Sequence, residues 1–125
     1  MKRHLLLAAC VAAGLLSAQA ASATTLVSTS LSIAGKNVLQ CSIVNIGPVP
    51  GTVTIVLLDP GGVKTWDSGP VAIAPGQNLV DTASKRQAQA ANYCAFEVTG
   101  PAASYRAAAE NVEPGGGTVA VAPAQ

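Results

Sequence analysis

Histidine and methionine are absent from all but the first few residues of the chain: the sole copies are His4 and Met1. Without them there is no Ser-His or Cys-His couple, no imidazole site for zinc or copper and no thioether site for copper. Aromatic residues are limited to Trp66, Tyr93, Phe96 and Tyr105. Charge is equally sparse. From Thr24 onward five basic residues (Lys36, Lys64, Lys85, Arg86, Arg106) stand against six acidic ones (Asp59, Asp67, Asp81, Glu97, Glu110, Glu113), a net charge of −1. Lys85-Arg86 is the single basic pair, and its polar setting, TASKRQAQ, reads as a solvated loop. The sequence thus lacks the basic footprint of a nucleic-acid binder and the polybasic patch of a membrane-surface protein. It also lacks a P-loop and a G-x-G-x-x-G run. Gly115-Gly116-Gly117 has no following helix to hold a phosphate. No cofactor and no metal are expected.

The N-terminal residues do carry a pattern. Met1-Lys2-Arg3-His4 is a short basic start, and Leu5 to Leu16 is an apolar run too short to span a bilayer. Ala18-Gln19-Ala20 fits an A-x-A cleavage site, so residues 1–20 are expected to be an export signal, with Ala21-Ser22-Ala23 offering an alternative cut after residue 23. An uncleaved anchor is disfavoured by the length of the run. Leu7-Ala8-Ala9-Cys10 resembles the lipobox of bacterial lipoproteins, whose cysteine is acylated. Against this, five residues of the apolar run precede Cys10 and the run continues past it.

At the other end Glu113 to Gln125, EPGGGTVAVAPAQ, is rich in Gly, Pro and Ala. The glycine run favours a flexible tail, although Thr118 to Ala122 also has the makings of a short edge strand. The folding unit is therefore expected at residues 24–112, the size of one small domain.

Period-two alternation dominates that unit. Val27, Thr29, Leu31 and Ile33 share one face, opposed by serines. Leu39, Cys41 and Ile43 share another; so do Val53, Ile55 and Leu57, and Cys94, Phe96 and Val98. The connections suit strands. Asn45 to Gly51, NIGPVPG, continues neither a helix nor a central ladder, and Asp59-Pro60-Gly61-Gly62 is a tight turn. Strands are expected near residues 25–33, 38–46, 52–58, 63–67, 71–74, 78–82, 91–99 and 104–111. The Ala-rich stretches ASKRQAQAAN and SYRAAAENV also admit short helices. Short strands with frequent turns predict an all-β fold, an antiparallel two-sheet sandwich of about seven to eight strands.

Two cysteines remain once the N-terminal segment is set aside. In an exported chain, Cys41 and Cys94 read as a disulfide closing a loop of about fifty residues. Both lie among inward residues, on the second strand and the second-last. This arrangement resembles the immunoglobulin-like sandwich, in which a bridge of this kind joins the sheets. Two immunoglobulin signatures depart. Trp66 falls one strand later than the buried tryptophan of that family, and Asn92, not a tyrosine, stands two residues before Cys94. The chain also resembles small exported bacterial proteins of unassigned function, with a cysteine-centred strand and an IAPGQ-type turn.

Three functional readings follow. The first is an exported, non-enzymatic module, periplasmic or extracellular, with a binding or structural role. Its partner would be a protein or glycan met by loops or an exposed sheet face, with no stable membrane insertion after signal removal. Trp66, Val56 and Leu58 are the candidate contact residues, although Trp66 is better explained as a core or inter-sheet plug that needs no function. The second is an envelope lipoprotein tethered through Cys10. The third is a carboxylate-only hydrolase using Asp59 and Asp67, although Asp59 before Pro-Gly is better explained as a turn former. A Ser84–Lys85 dyad is disfavoured because neighbours on a strand point to opposite faces.

Overall fold

A computed structural model describes residues 22–82 and 91–125 of the chain. The signal segment, Cys10, the Ser84–Lys85 pair and Arg86 lie outside the described residues. The elements run in the order β1 (Ala23–Val27), β2 (Val38–Asn45), β3 (Gly51–Leu58), β4 (Lys64–Asp67), β5 (Val71–Ile73), β6 (Asn78–Thr82), β7 (Tyr93–Thr99), a 3-10 turn (Ala102–Ser104), β8 (Tyr105–Val112) and β9 (Thr118–Pro123). The Ala-rich stretch after Ser104 is therefore a strand.

Every strand pair is antiparallel. One sheet has the order β1-β7-β3-β4, with β5 pairing the start of β3. The other has the order β6-β2-β8-β9. Alternation explains the layering. Leu39, Cys41, Ile43 and Asn45 of β2 are buried while the residues between them are half-exposed. They meet Val53, Ile55 and Leu57 of β3 and Cys94, Phe96 and Val98 of β7 in one core. The Cys41–Cys94 disulfide crosses that core from β2 to β7, with Cα atoms 6.0 Å apart. Each sheet thus stands on the other's apolar face, and the bridge fastens them near the middle.

Two expectations need correction. The first strand is shorter than its alternation suggested, and its parity is reversed. β1 ends at Val27, which is 43% exposed, while Leu26 and Ser28 face inward. The cause is a serine that takes a core position with its polar needs met: the Ser28 hydroxyl accepts from the Cys94 amide at 3.0 Å, and the Ser28 amide donates to the Cys94 carbonyl at 2.9 Å. The chain then leaves the sheet, and Leu31 and Ile33 return to pack on the core from an irregular segment.

The expected flexible tail is also different. Thr118–Pro123 forms β9 against β8, which brings the count among the described residues to nine strands. Gly115 and Gly116, at φ 111° and 98°, make the turn of a hairpin instead of a linker. The ordering cost of that turn is offset by the ladder and by burial of Ala122. Beyond it Ala124 bridges Ser28, and the amide of Val27 donates to the Gln125 carbonyl at 3.0 Å, so the two sheets touch along this margin.

Candidate binding end of the sandwich

β2 rises to the same end of the sandwich at which β3 and β8 begin. Three loops meet there: residues 46–50 (IGPVP), 74–77 (APGQ) and 100–104 (GPAAS). Their hub is Asn45, the last residue of β2. It is an amide in a core position, so each of its groups needs a partner. Its Nδ2 donates to the Val49 carbonyl at 2.9 Å and to the Ile73 carbonyl at 3.3 Å. Its Oδ1 accepts from the Gly47 amide at 2.9 Å. Its own amide donates to Gln77, and its carbonyl accepts from Gly76 at 2.6 Å. The third loop joins through Ser104, whose carbonyl accepts from the amides of Ile46 and Gly47 at 2.9 and 3.1 Å.

Close packing fixes the base of these loops. The buried Tyr105 donates its hydroxyl to the Thr99 carbonyl at 2.7 Å. A side chain at Gly51 would run into that hydroxyl, so glycine is required at this position. Gly47 is similar: a Cβ there would lie 2.7 Å from Cβ of Ser104. Four prolines, Pro48, Pro50, Pro75 and Pro101, restrict the backbone further.

The result is a preorganised surface with no charged residue in any of its three loops. Ile46 and Val49 project from it, 50% and 63% exposed, beside exposed Pro48, Pro75, Ala102 and Ala103. Arg106 marks its border, with Nη1 donating to the Tyr105 carbonyl at 2.9 Å. An open depression of about 460 Å³ adjoins the third loop, floored by Leu26 and Tyr105 and rimmed by Pro123 and Ala124.

The residues singled out in the sequence are distributed differently. Trp66, on β4, lies opposite Leu57 and packs half-buried against the core. Val56 points to the outer face, is buried there and lies opposite Ala95 and Asp67. Leu58 is half-buried after a bulge at Leu57/Leu58. The three therefore do not form one patch. Asp59 and Asp67 are both engaged in local structure. Oδ1 of Asp59 accepts from the amides of Gly61 and Val63, each at 2.8 Å. Asp67 takes the Lys64 ammonium at 2.7 Å and the Gly69 amide at 3.0 Å. The Lys64 hydrogen bond, the Gly69 amide and the Lys64 charge hold the Asp67 carboxyl below its ordinary pKa. The same hydrogen bond and charge raise that of Lys64. Among the described residues, no three His, Cys, Asp or Glu side chains converge on one point.

Asn45 and the Gly51–Tyr105 contact escaped the sequence reading, which treated residues 45–51 as a chain break. The one signal available was the position of Asn45, in phase with Leu39, Cys41 and Ile43. A polar residue on an apolar face asks for a specific set of partners. Comparison with protein-family models, curated proteins and solved structures finds no match for this chain.

Proposed function

We propose that the chain is an exported, disulfide-stapled β-sandwich that works by binding, and that its contact surface is the Asn45-pinned loop end. The observation that carries this reading is the exposure of Ile46 and Val49 on loops that are already ordered. Exposed aliphatic side chains lose water on contact, and loops fixed beforehand give up little further entropy. The partner is an apolar protein surface. A glycan is the weaker fit because these three loops carry no aromatic ring for stacking on a sugar face. The N-terminal pattern supports export, and a disulfide is favoured in an oxidising compartment. The turn bonds of Asp59 and Asp67 speak against the carboxylate hydrolase. Tethering through Cys10 remains a separate reading, answered by the intact mass of the protein from its native cell: an acylated species starting at residue 10 against a soluble one starting at Ala21 or Thr24.

The immunoglobulin-like description belongs here as well. The bridge between β2 and β7 supports it. The edge pairing differs, since immunoglobulin domains place the first strand with the second and the last with the sixth. Here β1 pairs with β7 and β8 with β2.

The test is a photo-crosslinking amino acid placed at Val49 and, in a second protein, at Val63, which is equally exposed at the far end. In the native cell we expect a discrete crosslinked protein from position 49, lost on Ile46→Asp, and none from position 63. Equal labelling at both positions, or none at 49, overturns the reading.

A further inference from the structure

We propose that the outer face of the β6-β2-β8-β9 sheet is a homodimer surface, closed by a two-fold axis that runs across the strands over Ala108. The register places one row straight across this face: Val80, Ser42, Ala108 and Pro123. These are small or apolar side chains, with Val80 46% exposed and Val121 of the next row 56% exposed. An antiparallel sheet with one solvated face normally turns polar residues to water. This face instead has a middle row of small or apolar side chains, suited to packing against a second sheet.

The charges identify the second sheet. Arg106 and Glu110 point outward from β8, two residues to either side of Ala108. They stand about 13 Å apart along the strand. A two-fold axis lying in the interface, across the strands at Ala108, sets β8 antiparallel over its copy. Arg106 then faces Glu110 of the second copy, and Glu110 faces its Arg106. Val80, Ser42, Ala108 and Pro123 each meet themselves on the axis, as an isologous contact requires. The pattern is self-complementary, so the occupant it fits is this same chain.

Present contacts leave both charges available. Glu110 accepts long bonds from Gln40 Nε2 and Ser42 Oγ, both at 3.4 Å. Arg106 is exposed, and its contacts are to the Tyr105 and Ala103 carbonyls. A shallow depression of about 110 Å³, lined by Ser42, Val44, Asn78 and Arg106, sits beside the axis. The axis brings Gln40 of the second copy over Val44. This surface meets the loop end at Arg106 and Pro123 but includes none of its three loops, and it does not depend on the binding role given to them.

Sedimentation of the disulfide-intact secreted protein, at up to about 1 mM and low salt, tests the contact over the affinity range of weak interfaces. Wild type should dimerise, and added salt should weaken the dimer. Arg106→Glu or Glu110→Arg alone opposes like charges in both pairs and should weaken it at least about tenfold. The double exchange Arg106→Glu/Glu110→Arg should restore it. Val80→Lys, which sets two ammonium groups across the axis, should weaken it independently of the β8 charges. A monomer at every concentration overturns the proposal. So do single exchanges without effect, or a double exchange that stays as weak as the singles.

Discussion

At one end of the sandwich a single buried side chain, Asn45, ties loops from distant parts of the chain; at the other, the Asp59 turn and the glycine turn after β8 are each held by their own residues. The Asn45 amide reaches the carbonyls of Val49 and Ile73, four and 28 residues away. At the far end, Oδ1 of Asp59 closes its own turn on Gly61 and Val63. The amide of Glu113 likewise donates across its glycine turn to Gly117 at 2.7 Å. The far end also carries the charge, with Asp59, Lys36, Lys64 and Glu113 around its turns. The difference separates two kinds of order. A self-contained turn responds alone when one of its bonds is lost. A shared hub makes several loops depend on one residue, which is what a surface must do to keep one shape for a partner.

The disulfide lies between the ends and sets the baseline for comparing them. Reduction, or Cys41→Ala with Cys94→Ala, should cost about 4 kcal/mol on the chain-entropy account, for a sequence separation of 53. Urea denaturation with and without reductant measures it, and amide exchange should rise at both ends together. Asn45→Ala should come next, at about 2 kcal/mol, because it removes the side-chain donor to the Val49 and Ile73 carbonyls, while the Gly47 amide keeps the Ser104 carbonyl. Its exchange pattern should be one-sided, with residues 46–50 and 74–77 deprotected and residues 59–63 unchanged. Uniform deprotection would mean that Asn45 supports the whole fold and not its own end.

The same contrast governs what was legible in the sequence. Strands β2, β3 and β7 and the Cys41–Cys94 bridge were readable because inward residues recur at period two and both cysteines fall in phase. The Asp59 turn was readable because its donors lie within four residues. Asn45 was not, since a neighbour such as Ile73 enters only through tertiary pairing. The end of β1 was missed for a related reason: the partner that lets Ser28 face inward is the distant Cys94 backbone. β9 was passed over because glycine composition reads alike for a linker and for a hairpin turn, and the ladder with β8 decides between them. Trp66 packs half-buried against the core, and Val56, an outward residue by parity, is nonetheless buried.

Asp59→Ala sharpens the comparison from the other side. It removes the acceptor for two turn amides that water can reach, so the loss should be about 1 kcal/mol or less. Exchange should rise at residues 61–63 and nowhere in the Asn45-linked loops. A response at residues 46–50 would show that the ends are coupled through β3.

The smallest effect belongs to the Lys64–Asp67 pair, which is exposed and neighbours the far end. Exposed pairs of this kind add little to stability, so Lys64→Met should leave the urea midpoint at neutral pH unchanged. The titration is the informative readout. Asp67 has its pKa lowered in the folded chain, so any stability it lends is present above its unfolded pKa and is lost as pH falls through the folded one. Lys64 has its pKa raised, so its share is present below its unfolded value and is lost as pH rises through the folded value. NMR titration of the Asp67 carboxyl should give a midpoint below the ordinary aspartate range. In Lys64→Met the midpoint should move up part of the way and no further, because the Gly69 amide still donates to Oδ1 at 3.0 Å. A full return to the ordinary range would mean that the backbone bond is absent in solution. The turn at Asp67 to Gly69 would then depend on a side-chain pair and would not be as self-contained as its geometry indicates.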